Sequence, residues 1–198
     1  MNSTIPSKDI NHIKLPIFRF SGQNLLRTHK TSYEKDRDIL FFGKAETQRF
    51  NDCKNEFGVC YLGLDEHVCF IETFRTTEQS DGYNIISYKT LEQKSLATIT
   101  VLNKISLVDL TSSGLAILGT TAEITTGEHK ISQKWSNAFY YHPDKPDGIY
   151  YRARHDPSRF CIALYDRAQT NIKIEKTCLW ANVSLLAEIL GEYQFGLV

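Results

Sequence analysis

The chain has 198 residues, of which 41 % are hydrophobic and 23 % are charged, which is typical of a soluble globular protein. Lysine and arginine number 23, and aspartate and glutamate also number 23, so no charge excess favours nucleic acid or an anionic membrane surface as a partner. This length and composition predict one domain with a sizeable core, and they argue against direct binding to nucleic acid.

The first residues and the cysteines predict where the protein resides. Residues 1–14 lack the apolar core of a signal peptide, and no apolar run approaches the length of a membrane span. The five cysteines form no CxxC pair and no zinc-ligand spacing, and several lie in apolar runs, as buried free thiols do. We therefore expect a cytoplasmic protein with reduced cysteines, no metal site and no membrane partner.

The N-terminal part of the chain begins with a polar segment, residues 1–14, that we expect to be loosely held. Residues 15–20 form a predicted first strand, from which Arg19 projects between two phenylalanines. Residues 21–38 are polar and carry charges of both signs, which indicates a solvated loop or a short helix. A single domain is therefore predicted over residues 15–198.

The stretch over residues 49–74 contains the candidate site. Arg49 lies on a predicted turn, and Tyr61 lies in an apolar run that predicts a buried strand. Asp65 is the predicted N-cap of a mostly apolar helix that carries Glu72. Burying an unpaired polar group costs ~2–7 kcal/mol, so such a carboxylate is either paired or kept for chemistry. The pattern alone fits both a structural Arg49–Glu72 ion pair and an active site.

The remainder of the chain mixes strands and helices without regular strand–helix–strand units, and it contains no repeat. We therefore predict an α+β fold. Apolar residues at helical spacing place Trp135 and Phe139 in the core. The predicted strands are residues 83–88, 96–102, 105–110, 148–151 and 160–165, and the predicted helices are residues 113–118, 129–141 and 181–190.

Short motifs in a fixed order run through most of the chain, and together they resemble the RES-domain family, which is named for its Arg, Glu and Ser residues. The interval of 11 positions between Tyr61 and Glu72 also fits that family. Each motif is weak alone, but their order is specific. The matching segments are Phe18-Arg19, Arg49-Phe50-Asn51, Gly58-Val59-Cys60-Tyr61, Glu72-Thr73-Phe74, Leu107-Val108-Asp109-Leu110-Thr111, Gln133-Lys134-Trp135, Asp147-Gly148-Ile149-Tyr150-Tyr151-Arg152, His155-Asp156-Pro157 and Ala163-Leu164-Tyr165-Asp166-Arg167.

The resemblance implies an NAD-degrading toxin of a bacterial toxin–antitoxin pair. Members of the family have a core similar to that of ADP-ribosyltransferases, which implies a mixed β-sheet flanked by helices. They break the bond between nicotinamide and ribose, so NAD would be the substrate, water or phosphate the acceptor, and no prosthetic group would be needed. Many are encoded beside an Xre-type antitoxin, which is the implied protein partner. A homodimer is left open.

The resemblance also gives the candidate residues their roles. Nicotinamide leaves NAD⁺ as a neutral molecule without a general acid, so one carboxylate beside an oxocarbenium-like ribose is sufficient. Glu72 is assigned that role, with Tyr61 stacked on nicotinamide and Arg49 on the diphosphate or an acceptor phosphate. These three are the predicted catalytic residues. Arg19 is a predicted second contact to phosphate or ribose, with a plain surface arginine as the alternative.

One position departs from the family pattern. The family's serine lies in a segment resembling Tyr-Arg-Ser-Arg-His-Asp-Pro, and Ala153 occupies that position here. The missing hydrogen bond is worth ~0.5–1.5 kcal/mol, and about 1.4 kcal/mol corresponds to a tenfold change in rate. A weakened enzyme, an inactive relative and a deliberate substitution that tames a toxin all stay open. The flanking Arg152 and Arg154 are candidate phosphate contacts, against the alternative of a charged surface turn.

Two other classes of function are weighed against the enzyme. A RES-like scaffold without its serine would bind a nucleotide or an antitoxin and catalyse nothing. A thiol hydrolase would use Cys161 with His155 and Asp156, and it requires an exposed cysteine close to the imidazole.

Overall fold

The computed structural model describes residues 5–44, 47–75, 79–80 and 83–198. The strands are β1 (Ile17–Phe20), β2 (Asn24–Lys30), β3 (Val59–Gly63), β4 (Gln79–Ser80), β5 (Tyr83–Ile86), β6 (Lys94–Val101), β7 (Ile105–Asp109), β8 (Gly148–Arg152), β9 (Phe160–Tyr165), β10 (Ile172–Leu179) and β11 (Phe195–Leu197). The helices are α1 (Asp36–Ile39), α2 (Glu66–Phe74), α3 (Tyr88–Glu92), α4 (Ser113–Ile117), α5 (Glu123–Thr126), α6 (His129–Tyr140) and α7 (Leu186–Glu192). Short 3-10 helices cover Ile10–His12, Asp166–Asn171 and Trp180–Asn182.

The main sheet has eight strands in the order β1-β7-β8-β9-β3-β2-β6-β10. Strands β7 and β8 pair in parallel, whereas the other neighbours in this sheet are antiparallel. A second, smaller sheet has the order β11-β5-β4. The predicted α+β class, with a mixed sheet flanked by helices, is therefore confirmed. In the part of the chain described here, no helix has the length and apolarity needed to cross a membrane.

Both faces of the main sheet are covered, which explains the apolar sequence of its central strands. On β9, Cys161 and Ala163 belong to the core on the face where α2 and α6 pack, whereas Ile162 and Leu164 belong to the core on the opposite face. Trp135 on α6 is 1 % exposed, and so the prediction that it faces the core is confirmed. This alternation decides which side chains of each strand can reach a common site.

The sheet is almost split between β2 and β3. Leu26 and Gly63 form the single residue pair in the ladder between these two strands, whereas β2 pairs with β6 over seven positions. Helix α2 lies directly against β3 at this point, since a Cβ atom on Gly63 would be 2.6 Å from a side-chain atom of both Val68 and Cys69. A cavity opens in the gap between the two strands, under α2.

Most predicted elements are present, including the strand with Tyr61, the helix with Glu72 and the β8–β9 hairpin. The prediction of a solvated loop or helix over residues 21–38 is wrong for Asn24–Lys30, which form β2 inside the sheet. Leu25 and Leu26 are buried there, whereas the polar Arg27 is partly buried and lines the cavity. Strands β10 and β11 were not predicted, and the last helix begins at residue 186 rather than 181.

The N-terminal segment is held more firmly than its polar sequence predicts. Ile10 is 7 % exposed and belongs to the core. The Nε2 atom of the buried His142 lies 3.2 Å from the carbonyl oxygens of both Ile10 and Ile13. Residues 10–13 therefore pack against the core, so this part of the segment is not loosely held as expected. The predicted loose segment includes residues 1–4, which lie outside the described residues.

Candidate active site

The cavity in the gap between β2 and β3 has a volume of about 470 Å³, within the range of ligand-binding pockets. Strands β2 and β3, helix α2 and the segment before β3 supply most of its wall, and β8 and β9 each contribute one residue. Among the described residues that line it, Glu72 is the one carboxylate and Arg27 is the one arginine or lysine. On the wall, Thr28 accepts a hydrogen bond from Trp180 Nε1 at 3.1 Å.

Glu72 is positioned by a capped helix and by a loop from another part of the chain. Asp65 Oδ1 accepts the N–H of Val68 at 2.8 Å, so the predicted N-cap of α2 is confirmed. Glu72 lies near the other end of α2, is partly buried, and accepts the backbone N–H of His155 at its Oε1 atom at 2.9 Å. Hydrogen bonds to an ionised carboxylate are stronger than neutral ones, so this contact orients the carboxylate at the cavity.

The ring of Tyr61 lines the cavity, but its hydroxyl group is used by the protein itself. It accepts the N–H of Phe50 at 2.8 Å and donates to Asn51 Oδ1 at 3.1 Å. Burial raises the pKa of Tyr61 above its ordinary value, so the phenol is neutral near pH 7. The hydroxyl therefore holds the turn after Arg49 and is already occupied by these two hydrogen bonds.

Arg49 clamps this turn onto the helical part of the molecule. Its side chain is almost buried, and Nη1 donates to the carbonyl oxygen of Gly127 at 2.8 Å and to Ser132 Oγ at 3.2 Å. Within the residues described, no ion pair joins Arg49 to Glu72, so the structural ion pair that the spacing also allowed is not formed. Arg49 itself does not line the cavity, although its neighbours Gln48 and Asn51 do.

The charges of Glu72 and Arg154 act on both Arg49 and His155. Burial lowers the pKa of Arg49, the charge of Arg154 lowers it further, and Glu72 acts in the opposite direction. Burial also lowers the pKa of His155, again with Glu72 raising it and Arg154 lowering it. Glu72 and Arg154 are therefore both close enough to influence the pKa of Arg49 and the pKa of His155.

Two predicted arginines are not brought to the cavity. Arg19 is exposed on β1, at the edge of the sheet, and β7, β8 and β9 lie between it and β3. Arg152 is exposed and lies over the ring of Phe160, at 4.9 Å, on the opposite face of the sheet from Tyr151. The structure thus corrects their expected positions, because alternation along β8 turns Arg152 away from the cavity.

The position of the family's serine is also outside the cavity wall. Ala153 is 2 % exposed, and its side chain belongs to the core next to Tyr151. Its N–H donates to the carbonyl oxygen of Arg159 at 3.0 Å, which closes the loop between β8 and β9. Arg154, the next residue, is exposed in this loop.

Arg27 and Tyr151 are two of the cavity residues that the sequence analysis does not predict. Arg27 bridges the gap in the sheet, since its Nη1 donates to the carbonyl oxygen of Tyr61 at 3.1 Å. Tyr151 lines the cavity beside Glu72, and burial raises its pKa well above the ordinary value of a phenol. In the predicted strand over residues 148–151, side chains alternate between the two faces, so the sequence could have placed Tyr151 and Tyr150 on opposite faces. The polar sequence around Arg27 shows no such alternation, so no pattern pointed to Arg27.

The thiol hydrolase hypothesis is contradicted. Cys161 lines the cavity but is 6 % exposed, and burial, followed by the charge of Glu72, raises the pKa of its thiol well above the ordinary value. A thiol held in this state is a poor nucleophile at neutral pH. Asp156 accepts hydrogen bonds from Ser158 and Tyr193 instead of orienting an imidazole. No three His, Cys, Asp or Glu side chains among the described residues are grouped to hold a metal ion.

Comparisons with known proteins agree with the resemblance seen in the sequence. A family model described as the RES domain matches residues 24–182. The probable toxin y4kH of Sinorhizobium fredii is 28 % identical over 99 residues, which cover 50 % of this chain and 77 % of that protein. In the crystal structure of the M. tuberculosis MbcT-MbcA toxin-antitoxin complex, one chain is similar in fold. The TM-score is 0.65 at 16 % identity, over 93 % of this chain and 96 % of that chain.

Proposed function

This chain belongs to the RES domain family, and from that premise we propose that it is the toxin of a toxin–antitoxin pair and cleaves the nicotinamide–ribose bond of NAD⁺. The names of the two relatives, a probable toxin and a toxin–antitoxin complex, support the biological part of this proposal. Five free cysteines are in keeping with the reducing cytoplasm as the place of action.

The observation that carries the chemical proposal is the single carboxylate in the cavity. Ordinary glycosidases need two carboxyl groups, one of them an acid that protonates the leaving group. Nicotinamide in NAD⁺ is already cationic at its ring nitrogen, and the electron pair of the broken bond leaves with it as a neutral molecule. One carboxylate is then sufficient, and Glu72 is the one that the described cavity wall offers.

In the proposed mechanism, Glu72 stabilises positive charge on the ribose as the bond breaks. Its Oε1 atom is already held by the N–H of His155, so little reorganisation is needed during the reaction. The rings of Tyr61 and Tyr151 provide flat surfaces beside this carboxylate for the nicotinamide. Arg27 on the wall, and Arg49 behind it, supply positive charge for the diphosphate of NAD⁺ or for an acceptor phosphate.

The acceptor decides the product. Water gives nicotinamide, ADP-ribose and a proton, whereas phosphate gives nicotinamide and ADP-ribose 1″-phosphate. Incubating the purified full chain with NAD⁺ in phosphate-free and phosphate buffers, and identifying the products by mass spectrometry, separates the two. An antitoxin of the Xre type, bound over the cavity, is the partner that the proposal expects to inhibit both reactions.

Glu72→Gln is the decisive variant, because it keeps the shape of the side chain and removes its charge. We expect nicotinamide release to fall by about 10²–10³-fold, the range seen when one electrostatic stabiliser of a transition state is removed. Glu66→Gln, the same change on the same helix outside the cavity wall, is the matched control and should retain activity.

The alternative is a silent module that binds a nucleotide or an antitoxin, and the alanine at position 153 is the observation in its favour. Calorimetry decides between the two functions. Binding of NAD⁺ with no nicotinamide released, at high protein concentration and with phosphate present, would support the silent module and contradict the enzyme.

A further inference from the structure

Arg159 holds the loop between β8 and β9, residues 153–159, to two other parts of the molecule. Its Nε donates to Asp156 Oδ2 at 3.3 Å, within the loop itself. Its Nη1 donates to Asp65 Oδ2 at 3.3 Å, and its Nη2 donates to both carboxylate oxygens of Glu192 on α7, at 3.0 and 3.2 Å. One guanidinium group therefore joins three carboxylates that come from different elements.

Two of the three partners of Arg159 lead to Glu72. The loop that Arg159 holds contains His155, whose N–H donates to Glu72 Oε1 at 2.9 Å. Asp65, the second partner, is the N-cap of α2, the helix that carries Glu72 two turns later. Arg159 thus contacts both the start of the helix and the loop that together determine where the carboxylate lies.

The network is partly shielded at its centre and more exposed at its outer partners, since the side chains of Asp65 and Glu192 are 34 % and 40 % exposed. The side chain of Arg159 is 24 % exposed and that of Asp156 is 15 % exposed, so both are partly shielded from water. Tyr193 donates to Asp156 at 2.8 Å, and the His67 ring lies 2.5 Å from a carboxylate oxygen of Glu192. Without the guanidinium, the carboxylates of Asp65, Asp156 and Glu192 would repel one another, and we expect the loop to shift away from the other two.

We infer that Arg159 is a positioning residue for Glu72, which acts through the His155 N–H and the N-cap of α2 and does not touch the substrate. This inference rests on the proposed function, since it assigns a support to the proposed catalytic carboxylate. A planar fork of five donors suits the three directions of these contacts, whereas the single ammonium of lysine does not.

The test compares Arg159→Gln and Arg159→Lys with the unchanged chain. We expect Arg159→Gln to lower kcat for NAD⁺ cleavage by about ten- to a hundredfold, because a small displacement of a catalytic group has effects of that size. The KM for NAD⁺ should change less than threefold, since the residue makes no contact with the cavity. The kcat of Arg159→Lys should lie between the kcat of Arg159→Gln and that of the unchanged chain. Hydrogen exchange at the His155 amide should become faster in both variants.

Arg167→Gln is the control for the loss of a structural arginine. Arg167 donates to the carbonyl oxygen of Tyr140 at 2.6 Å and lies 3.8 Å over the Tyr140 ring, outside the cavity wall. Its loss should lower the melting temperature and leave both kcat and His155 exchange unchanged. A kcat of Arg159→Gln within twofold of the unchanged chain, or an equal loss in Arg167→Gln, would overturn the inference.

The two proposals fail in different ways. If the unchanged chain releases no nicotinamide, the proposed function is wrong, but exchange at the His155 amide still tests the positioning role. Unchanged exchange in Arg159→Gln would refute that role whatever the activity. Faster exchange in Arg159→Gln, absent from Arg167→Gln, supports it.

Discussion

Replacing Tyr61 with phenylalanine removes one oxygen atom and tests whether the hydroxyl of Tyr61 holds the turn after Arg49. The change deletes the hydrogen bond to Asn51 and leaves the N–H of the buried Phe50 without its partner. An unsatisfied buried donor costs about 1–3 kcal/mol. For a chain of this size each kcal/mol lowers the melting temperature by about 2–4 °C, so we expect a fall of about 2–12 °C.

Urea unfolding and calorimetry measure this effect, with Tyr88→Phe as the control because the Tyr88 residue is 49 % exposed. The control should stay within about 0.5 kcal/mol of the unchanged chain. If Tyr61→Phe is equally stable, the Phe50 N–H has another partner or access to water, and the hydroxyl does not hold the turn. Retained NAD⁺ cleavage at a lower melting temperature would show that the ring, and not the hydroxyl, serves the ligand.

Three further predictions concern the thiols, a buried histidine and the family's serine. In the native protein, iodoacetamide should label the exposed Cys53 and Cys178 and spare Cys161, because burial raises the pKa of the Cys161 thiol. After unfolding in urea, all five thiols should be labelled, and mass spectrometry counts the labels. Burial lowers the pKa of His29 in the folded chain, so below about pH 6.5 the unfolded chain binds more protons than the folded chain. The free energy of unfolding, measured in urea, should therefore fall from pH 7 to pH 5. This fall should be smaller in His29→Gln than in the unchanged chain. Ala153→Ser should change kcat by less than about threefold because the side chain is buried away from the cavity wall, and a tenfold rise would show that the hydroxyl reaches the substrate.

The parts of the site that could be predicted from sequence are those formed by local chain geometry. A buried strand followed at once by a capped helix brings Tyr61 and Glu72 to one place, and both elements are present with the predicted cap at Asp65. The hairpin of β8 and β9 is equally local. His155 in its loop donates to Glu72, which lies 83 positions earlier in the sequence. No pattern within either segment predicts that contact.

The errors have a physical cause as well. Strand β2 was missed because Arg27 and Thr28, which both line the cavity in the gap of the sheet, interrupt the apolar alternation by which buried strands are recognised. Arg19, predicted as a contact to phosphate or ribose, lies instead with its two flanking phenylalanines on the edge strand β1. The misplacement of Arg152 was avoidable, since adjacent residues of a strand point to opposite faces.

The hydrogen bond from Trp180 to Thr28 joins residues 152 positions apart. During translation, at roughly 5–20 residues per second, the first wall of the pocket leaves the ribosome many seconds before its last support is synthesised. A nascent or prematurely terminated chain that lacks Trp180 cannot complete that wall. The proposed cleavage activity, which needs this wall, would therefore arise only after residue 180 has been synthesised.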